Sequence, residues 1–152
     1  MSKLIIIFAL FLILITGVVF YQLNKTQMTK SDGRVTINKQ IFTVEIAKAD
    51  QDKQIGLTKY RNIADYQGML FVFDSPDIIG FWMKNMKFPI DIIFIKDDTI
   101  ISIAEKSPIV TKDAQPTIYK PDSPSNYVLE INSGLVSKNK IKVGDKVKIE
   151  LK

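Results

Sequence analysis

The 152-residue sequence contains no histidine and no cysteine. Their absence excludes Ser-His and Cys-His nucleophilic sites, thiolate redox chemistry, and zinc sites that need imidazole or sulfur ligands. It also excludes disulfide bonds, so cysteine usage does not report the redox compartment. The glycine-rich patterns that cradle phosphates are missing as well. Asp97-Asp98 alone is too small a cluster for calcium, and the sequence therefore predicts no metal and no cofactor.

A strong excess of one charge is also lacking. The formal net charge is +5, a mild excess, and the basic C-terminal stretch with Lys138, Lys140, Lys142, Lys146 and Lys148 is typical of an ordinary solvated face. A dedicated nucleic-acid surface concentrates positive charge on one face. The sequence therefore predicts no nucleic-acid partner.

Charge is entirely absent from Leu4–Tyr21. A run of this length and hydropathy is typical of a membrane-spanning helix. Bulky residues follow Gly17, which favours an uncleaved anchor over a cleaved signal peptide. We predict a membrane anchor over residues 1–21, a polar linker over 22–33 and one soluble domain over 34–152. The charges flanking the anchor lean weakly towards a cytoplasmic soluble domain.

The soluble part reads as a series of short strands. Patterns typical of strands cover 34–37, 41–46, 69–73, 92–95, 99–104, 127–131 and the C-terminal residues to 151. One short helix is predicted over 51–57, capped by Asp50, and a helical turn over 135–140; Asp74–Asp77 has turn chemistry, and Ser107–Asn126 is mostly loop. These elements predict a mostly β, β-rich α+β domain: a small antiparallel barrel or sandwich with one or two short helices.

The densest signal is Phe81–Ile95, where two apolar runs enclose polar residues and Pro89. Apolar runs of this kind suit strands covered on both faces, and proline marks an edge or a bend. We therefore place residues 84–89 at a rim and the next polar residue just inside the following strand. The candidate ligand-binding residues are Trp82, Lys84, Asn85 and Asp91, with Glu130 opposite them.

Each candidate also has a purely structural interpretation. Trp82 is the only tryptophan, and its ring could stack on a flat ligand or simply pack. Asn85 could face a ligand or hold a turn. Asp91 and Glu130 lie in apolar strands, where each could act as an acid or base or be satisfied by a basic side chain or backbone amide. Lys84 and Asp91 are a plausible ion pair.

The segments 68–73 and 81–85, the Pro89-Ile90-Asp91 triplet and the C-terminal Gly144-Asp145 resemble the signature of the uncharacterised domain of unknown function 192 family. Thr58 stands where that family usually has methionine, and Met86 where it usually has threonine. The resemblance implies a compact β-rich domain without an established activity. Similar proteins often begin with an export signal or an anchor, which implies an extracytoplasmic domain, against the weak charge count.

Three functions are consistent with these features. The first is a membrane-tethered, extracytoplasmic binding or accessory domain whose rim holds an unknown small molecule or protein partner. The second is a structural or assembly protein without a small-molecule site, which predicts a broad apolar surface patch. The third is a carboxylate-based enzyme, which requires Asp91 and Glu130 within about 10 Å of each other in one cleft.

Overall fold

The computed structural model describes residues 2–24, 28, 30–110, 115 and 117–152. Within these residues the helices and strands are α1 (Ser2–Asn24), β1 (Gly33–Ile37), β2 (Gln40–Ala47), α2 (Asp50–Ile55), a 3-10 turn (Gly56–Lys59), β3 (Gln67–Asp77), β4 (Phe81–Trp82), β5 (Ile90–Lys96), β6 (Thr99–Ser107), β7 (Ile118–Tyr119), β8 (Ser125–Asn132), α3 (Leu135–Lys138) and β9 (Val147–Leu151). The domain is mostly β with few short helices, as the sequence predicts.

Seven strands form one curled sheet in the order β6-β5-β8-β3-β2-β1-β9, and β4 pairs separately with β7. The β2–β3 pair is parallel, while the other pairs of the large sheet are antiparallel. The two edges meet at one end, where Thr99 bridges to Lys146. The sheet is thus a half-barrel, in agreement with the barrel alternative of the sequence prediction.

Each face of the sheet carries its own hydrophobic core. The core inside the curl, here called the inner face, contains Val35, Ile37, Phe42, Val44, Leu70, Ile93, Ile95, Ile100, Leu129, Ile131, Leu135, Val136, Ile141 and Val147. The outer face contains Met28, Ala47, Leu57, Ile63, Met69, Phe71, Phe81, Met83, Phe88, Ile90, Ile92, Phe94 and Val128. Side chains alternate between faces along a strand, so continuous apolar runs such as 92–95 supply both cores.

Both predicted hairpins are present. In the first, β1 and β2 pair antiparallel around Asn38 and Lys39, whose φ angles are 49° and 73°. Two consecutive residues with positive φ match the twist of a tight hairpin, and asparagine tolerates this region well. Asp97, with φ 56°, turns the second hairpin between β5 and β6.

Three local predictions are wrong. Strand β3 continues to Asp77 through the predicted turn at Asp74, because its far end pairs with Ser125 beyond a bulge. Asp50 begins α2 instead of capping it, and the N-cap position is Ala49. The helix ends at Ile55 and tightens into the 3-10 turn.

The predicted membrane anchor falls on α1. The large apolar side chains described between Ile5 and Ile15 are 43 to 73% exposed, so the β domain does not cover them. In the described part of the chain, no helix meets the length and hydropathy required to cross a membrane. The spanning assignment for Leu4–Tyr21 is therefore not supported by the structure.

Met28, which lies in the predicted polar linker, packs in the outer core and is 4% exposed. Its carbonyl accepts a 2.6 Å hydrogen bond from the Gln67 side chain. The chain is thus attached to the domain a few residues after the end of α1 at Asn24.

Candidate functional site

A pocket of about 320 Å³ opens on the outer face, between α2 with its 3-10 turn and the segment around β4. This volume lies at the lower end of the range for small-molecule sites, roughly 300–1,000 Å³. The lining residues are Lys53, Gln54, Ile55, Gly56, Leu57, Thr58, Phe71, Phe73, Ile79, Gly80, Phe81, Trp82, Lys84, Asn85, Met86 and Glu130.

Phenylalanine rings form one wall of the pocket. Phe81 stands edge-on to Phe71 at 4.9 Å and to Phe73 at 6.5 Å between ring centroids. Across the pocket, Gly56 has φ 52°, and a Cβ there would lie 3.5 Å from the Phe71 ring. That distance is an ordinary van der Waals contact, so the positive φ, more than space, favours glycine here.

Glu130 supplies the pocket's acidic group. It lies in β8 between Met69 of β3 and Ile92 of β5, and is only 5% exposed. Among the described residues no side chain or backbone amide donates a hydrogen bond to its carboxyl group, and burial alone raises its pKa to about 8. Because desolvation penalises the charged form, Glu130 is mainly protonated at neutral pH.

The predicted rim residues meet at the mouth of the same pocket. Trp82 is 54% exposed, and the Lys84 ammonium lies 5.3 Å from its ring centroid. Asn85 has φ 62° in a turn closed by the Met86 amide, which donates to the Met83 carbonyl at 3.3 Å. Asn85 therefore both holds the turn and lines the pocket. Four of the five predicted residues are brought together.

Sequence reasoning missed Lys53. This residue lies in α2, and its ammonium stands 4.7 Å from the Phe73 ring centroid. Its only sequence signal was a position in a short predicted helix that had no assigned partner. The parallel β2–β3 pairing decides where that helix lies, and single-sequence patterns do not predict such a pairing.

Asp91 does not join the pocket. It pairs with Ile131 across β5 and β8, whereas Glu130 pairs with the next residue, Ile92, so the two carboxyl groups project from opposite faces of the sheet. Asp91 is fully buried on the inner face. A site that uses both carboxyl groups as a catalytic pair is excluded by this geometry.

Three backbone amides satisfy Asp91. The N–H groups of Lys106, Gly134 and Val136 donate to its carboxylate at 2.7, 3.1 and 2.9 Å. The predicted pair with Lys84 is therefore wrong; the competing interpretation, in which backbone amides satisfy the carboxylate, is correct. Asp91 fastens the start of α3 and the end of β6 to the centre of the sheet.

A second glutamate on the outer face provides a contrast. Glu45 in β2 pairs with Met69, which in turn pairs with Glu130, so the two glutamates share one row of the sheet. Glu45 accepts a 2.5 Å bond from Lys59 and a further bond from the Tyr60 hydroxyl. Burial and this carboxylate together raise the pKa of Tyr60. No group of three acidic residues with metal-binding spacing occurs in the residues that the structure describes.

Residues 33–149 match the model of the DUF192 family, which is described as an uncharacterized ACR. A protein of unknown function from Novosphingobium aromaticivorans is 35% identical with a TM-score of 0.67, covering 76% of this chain and 83% of its own. A candidate transcription regulator from Sinorhizobium meliloti is 31% identical with a TM-score of 0.69, covering 78% and 92%. No curated protein shows significant sequence similarity.

Proposed function

Because the chain belongs to the DUF192 family, for which no activity is established, we propose a function from its own pocket: a membrane-held domain that binds a small molecule. The observation that carries this proposal is Glu130. A buried carboxyl group without a partner costs free energy, and proteins normally bury such groups only with partners. A ligand that completes the hydrogen bonding of Glu130 accounts for its position at a pocket.

The remaining lining fits the same role. Small-molecule sites combine an apolar, aromatic surface with a few polar groups that fix orientation. Here the phenylalanine wall and the exposed ring of Trp82 supply the surface, and Lys84 and Asn85 supply polar groups at the mouth. The Trp82 ring is 54% exposed, which leaves part of its surface open to contact with a ligand.

Intrinsic fluorescence provides a direct binding test, because Trp82 is the only tryptophan. The full chain in a nonionic detergent is titrated with a panel of metabolites, and thermal unfolding is followed in parallel. We expect at least one compound class to change the fluorescence and raise the melting temperature. Met86→Trp, which fills the pocket, should abolish the melting shift, while Ile41→Trp on an exposed part of β2 should not. A panel without any response argues against a small-molecule site.

Tethering by α1 completes the proposal. The described apolar side chains of α1 are exposed, and a membrane is the environment that would cover them. The four residue steps from Asn24 to the buried Met28 span at most roughly 14 Å. The domain would therefore stay close to the membrane surface.

We assign the domain to the extracytoplasmic side, in keeping with the export signals and anchors of similar proteins. Protease treatment of intact cells tests the orientation: an extracytoplasmic domain is digested without lysis, and a cytoplasmic one only after it. Recovery of the chain in the soluble fraction would instead contradict the tether.

A further inference from the structure

The pocket lining contains more basic than acidic side chains. Of the residues that line it, Lys53 and Lys84 are basic, and Glu130 is the acidic one. Neither lysine forms an ion pair with Glu130 in the described structure, and Lys53 is instead 3.9 Å from the exposed Asp50. The two ammonium groups thus dominate the electrostatic potential at the mouth whenever Glu130 is protonated.

The other charged groups near Glu130 leave this balance in place. On its row of the sheet the next ionisable residue is Glu45, two strands away across Met69. Lys59 and the Tyr60 hydroxyl both contact the Glu45 carboxylate, so its negative charge is compensated by its own neighbours. The pocket itself therefore keeps a net positive character below the pH at which Glu130 ionises.

The aromatic faces are already used by the protein's own cations. Lys53 lies over Phe73 at 4.7 Å and Lys84 over Trp82 at 5.3 Å. A cationic ligand would compete for the same ring faces and would meet two like charges. An anion would instead accept hydrogen bonds from both ammonium groups, and its apolar part could contact the ring edges.

From this arrangement we infer that the pocket binds a small amphipathic anion. The acidic head group of this ligand would lie at Lys53 and Lys84, and its apolar body against the phenylalanine wall. One further ligand atom would accept a hydrogen bond from the protonated Glu130 side chain. The inference rests on the proposed binding function and names its ligand class. A volume of about 320 Å³ suits a compact soluble metabolite better than a lipid with two acyl chains.

Three probes with one apolar body and different head groups test the sign of the ligand. 4-Phenylbutyrate, 4-phenylbutan-1-ol and 4-phenylbutylamine are titrated into the full chain at pH 6.5, with Trp82 fluorescence and isothermal calorimetry as readouts. We expect the carboxylate to bind at least about fivefold more tightly than the alcohol, from two partly exposed charge contacts. The amine should bind most weakly.

The pH dependence tests the role of Glu130. If the protonated acid is required, apparent affinity scales with its fraction, and a pKa of about 8 leaves roughly a tenth protonated at pH 9. The wild-type chain should therefore bind 4-phenylbutyrate about tenfold more weakly at pH 9 than at pH 6.5. Glu130→Gln keeps a donor without a titratable proton and should bind equally at both pH values. The wild-type titration alone remains decisive if the variant does not fold.

The outcomes separate the inference from the proposed function. Tighter binding of the amine or the alcohol would overturn the anion assignment while leaving a small-molecule site, and binding of none of the three would count against the site itself. Lys53→Met and Lys84→Met should each reduce carboxylate affinity, whereas Lys148→Met on β9 should not. Stronger binding of dihexanoyl phosphatidic acid than of phenyl phosphate would overturn the size limit.

Discussion

The two faces of the sheet treat a buried carboxyl group in opposite ways. On the inner face, Asp91 is fully buried and accepts three backbone hydrogen bonds. On the outer face, Glu130 is almost as buried, yet burial is the one influence on its pKa. Neighbouring positions in the same strand pair thus carry an acid held by three backbone amides and an acid that lines a pocket without a hydrogen-bond donor from the described part of the chain. Asp91 has its partners within the protein, whereas the ligand proposed above would supply the partner of Glu130.

Removing Asp91 should give the largest effect. Asp91→Ala removes the acceptor of the buried Val136 N–H and of the partly buried N–H groups of Lys106 and Gly134. A buried unsatisfied group costs about 1–3 kcal/mol, and the two partly buried groups add less. We expect the free energy of unfolding to fall by about 3–5 kcal/mol, measured by urea denaturation of the full chain. Asp98→Ala, at an exposed surface ion pair, should cost far less. Equal costs for the two variants would break the proposed contrast.

Glu130 should affect stability through pH instead. Its pKa rises from 4.5 to about 8 on folding, so the folded chain holds the proton more tightly. This contribution to stability is fully present below pH 4.5, and is lost as the pH rises towards 8, at up to roughly 1.4 kcal/mol per pH unit.

The matched variant isolates this contribution. Glu130→Gln should unfold at the same urea concentration as the wild type near pH 4.5 and should be the more stable of the two at pH 8. Glu150→Gln, an exposed residue of β9, serves as the control and should follow the wild type throughout. If the difference between Glu130→Gln and the wild type does not change with pH, Glu130 is hydrogen-bonded or solvated in the folded chain.

Glu45 sharpens the comparison because it shares the outer-face row with Glu130 but has partners. Tyr60→Phe removes one hydrogen bond to a charged acceptor and should lower the free energy of unfolding by about 1.5 kcal/mol. Binding of 4-phenylbutyrate should be the same in Tyr60→Phe and the wild type, since Tyr60 lies outside the pocket lining. A variant as stable as the wild type would show that the hydroxyl is dispensable to Glu45.

The sequence predicts where the strands lie in the chain better than it predicts which residues they contact in the fold. Apolar runs and turn residues locate β5, β6 and β8, because those signals are local. The hydrogen bonding of Asp91 depends on two contacts that are not local. A bulge in the β5–β6 pair brings the amide of Lys106, whose φ is 52°, beside the carboxylate. The start of α3 reaches it from 45 residues further along the chain. Asp91 and Glu130 each lie in an apolar strand, which left a catalytic pair open, but a one-residue difference in register places them on opposite faces of the sheet.

The rim of the pocket should give the smallest change in stability and the clearest change in binding. Lys84 is exposed, and its contact with the Trp82 ring is the kind that contributes about 0.5–1 kcal/mol at an exposed site. Lys84→Met keeps an apolar side chain over the ring, so the free energy of unfolding should stay within about 0.5 kcal/mol of the wild type. Affinity for 4-phenylbutyrate should nevertheless fall severalfold, while affinity for 4-phenylbutan-1-ol stays unchanged, because only the head-group charge is lost. A variant that loses stability but keeps the carboxylate preference would reassign Lys84 from the ligand to the fold.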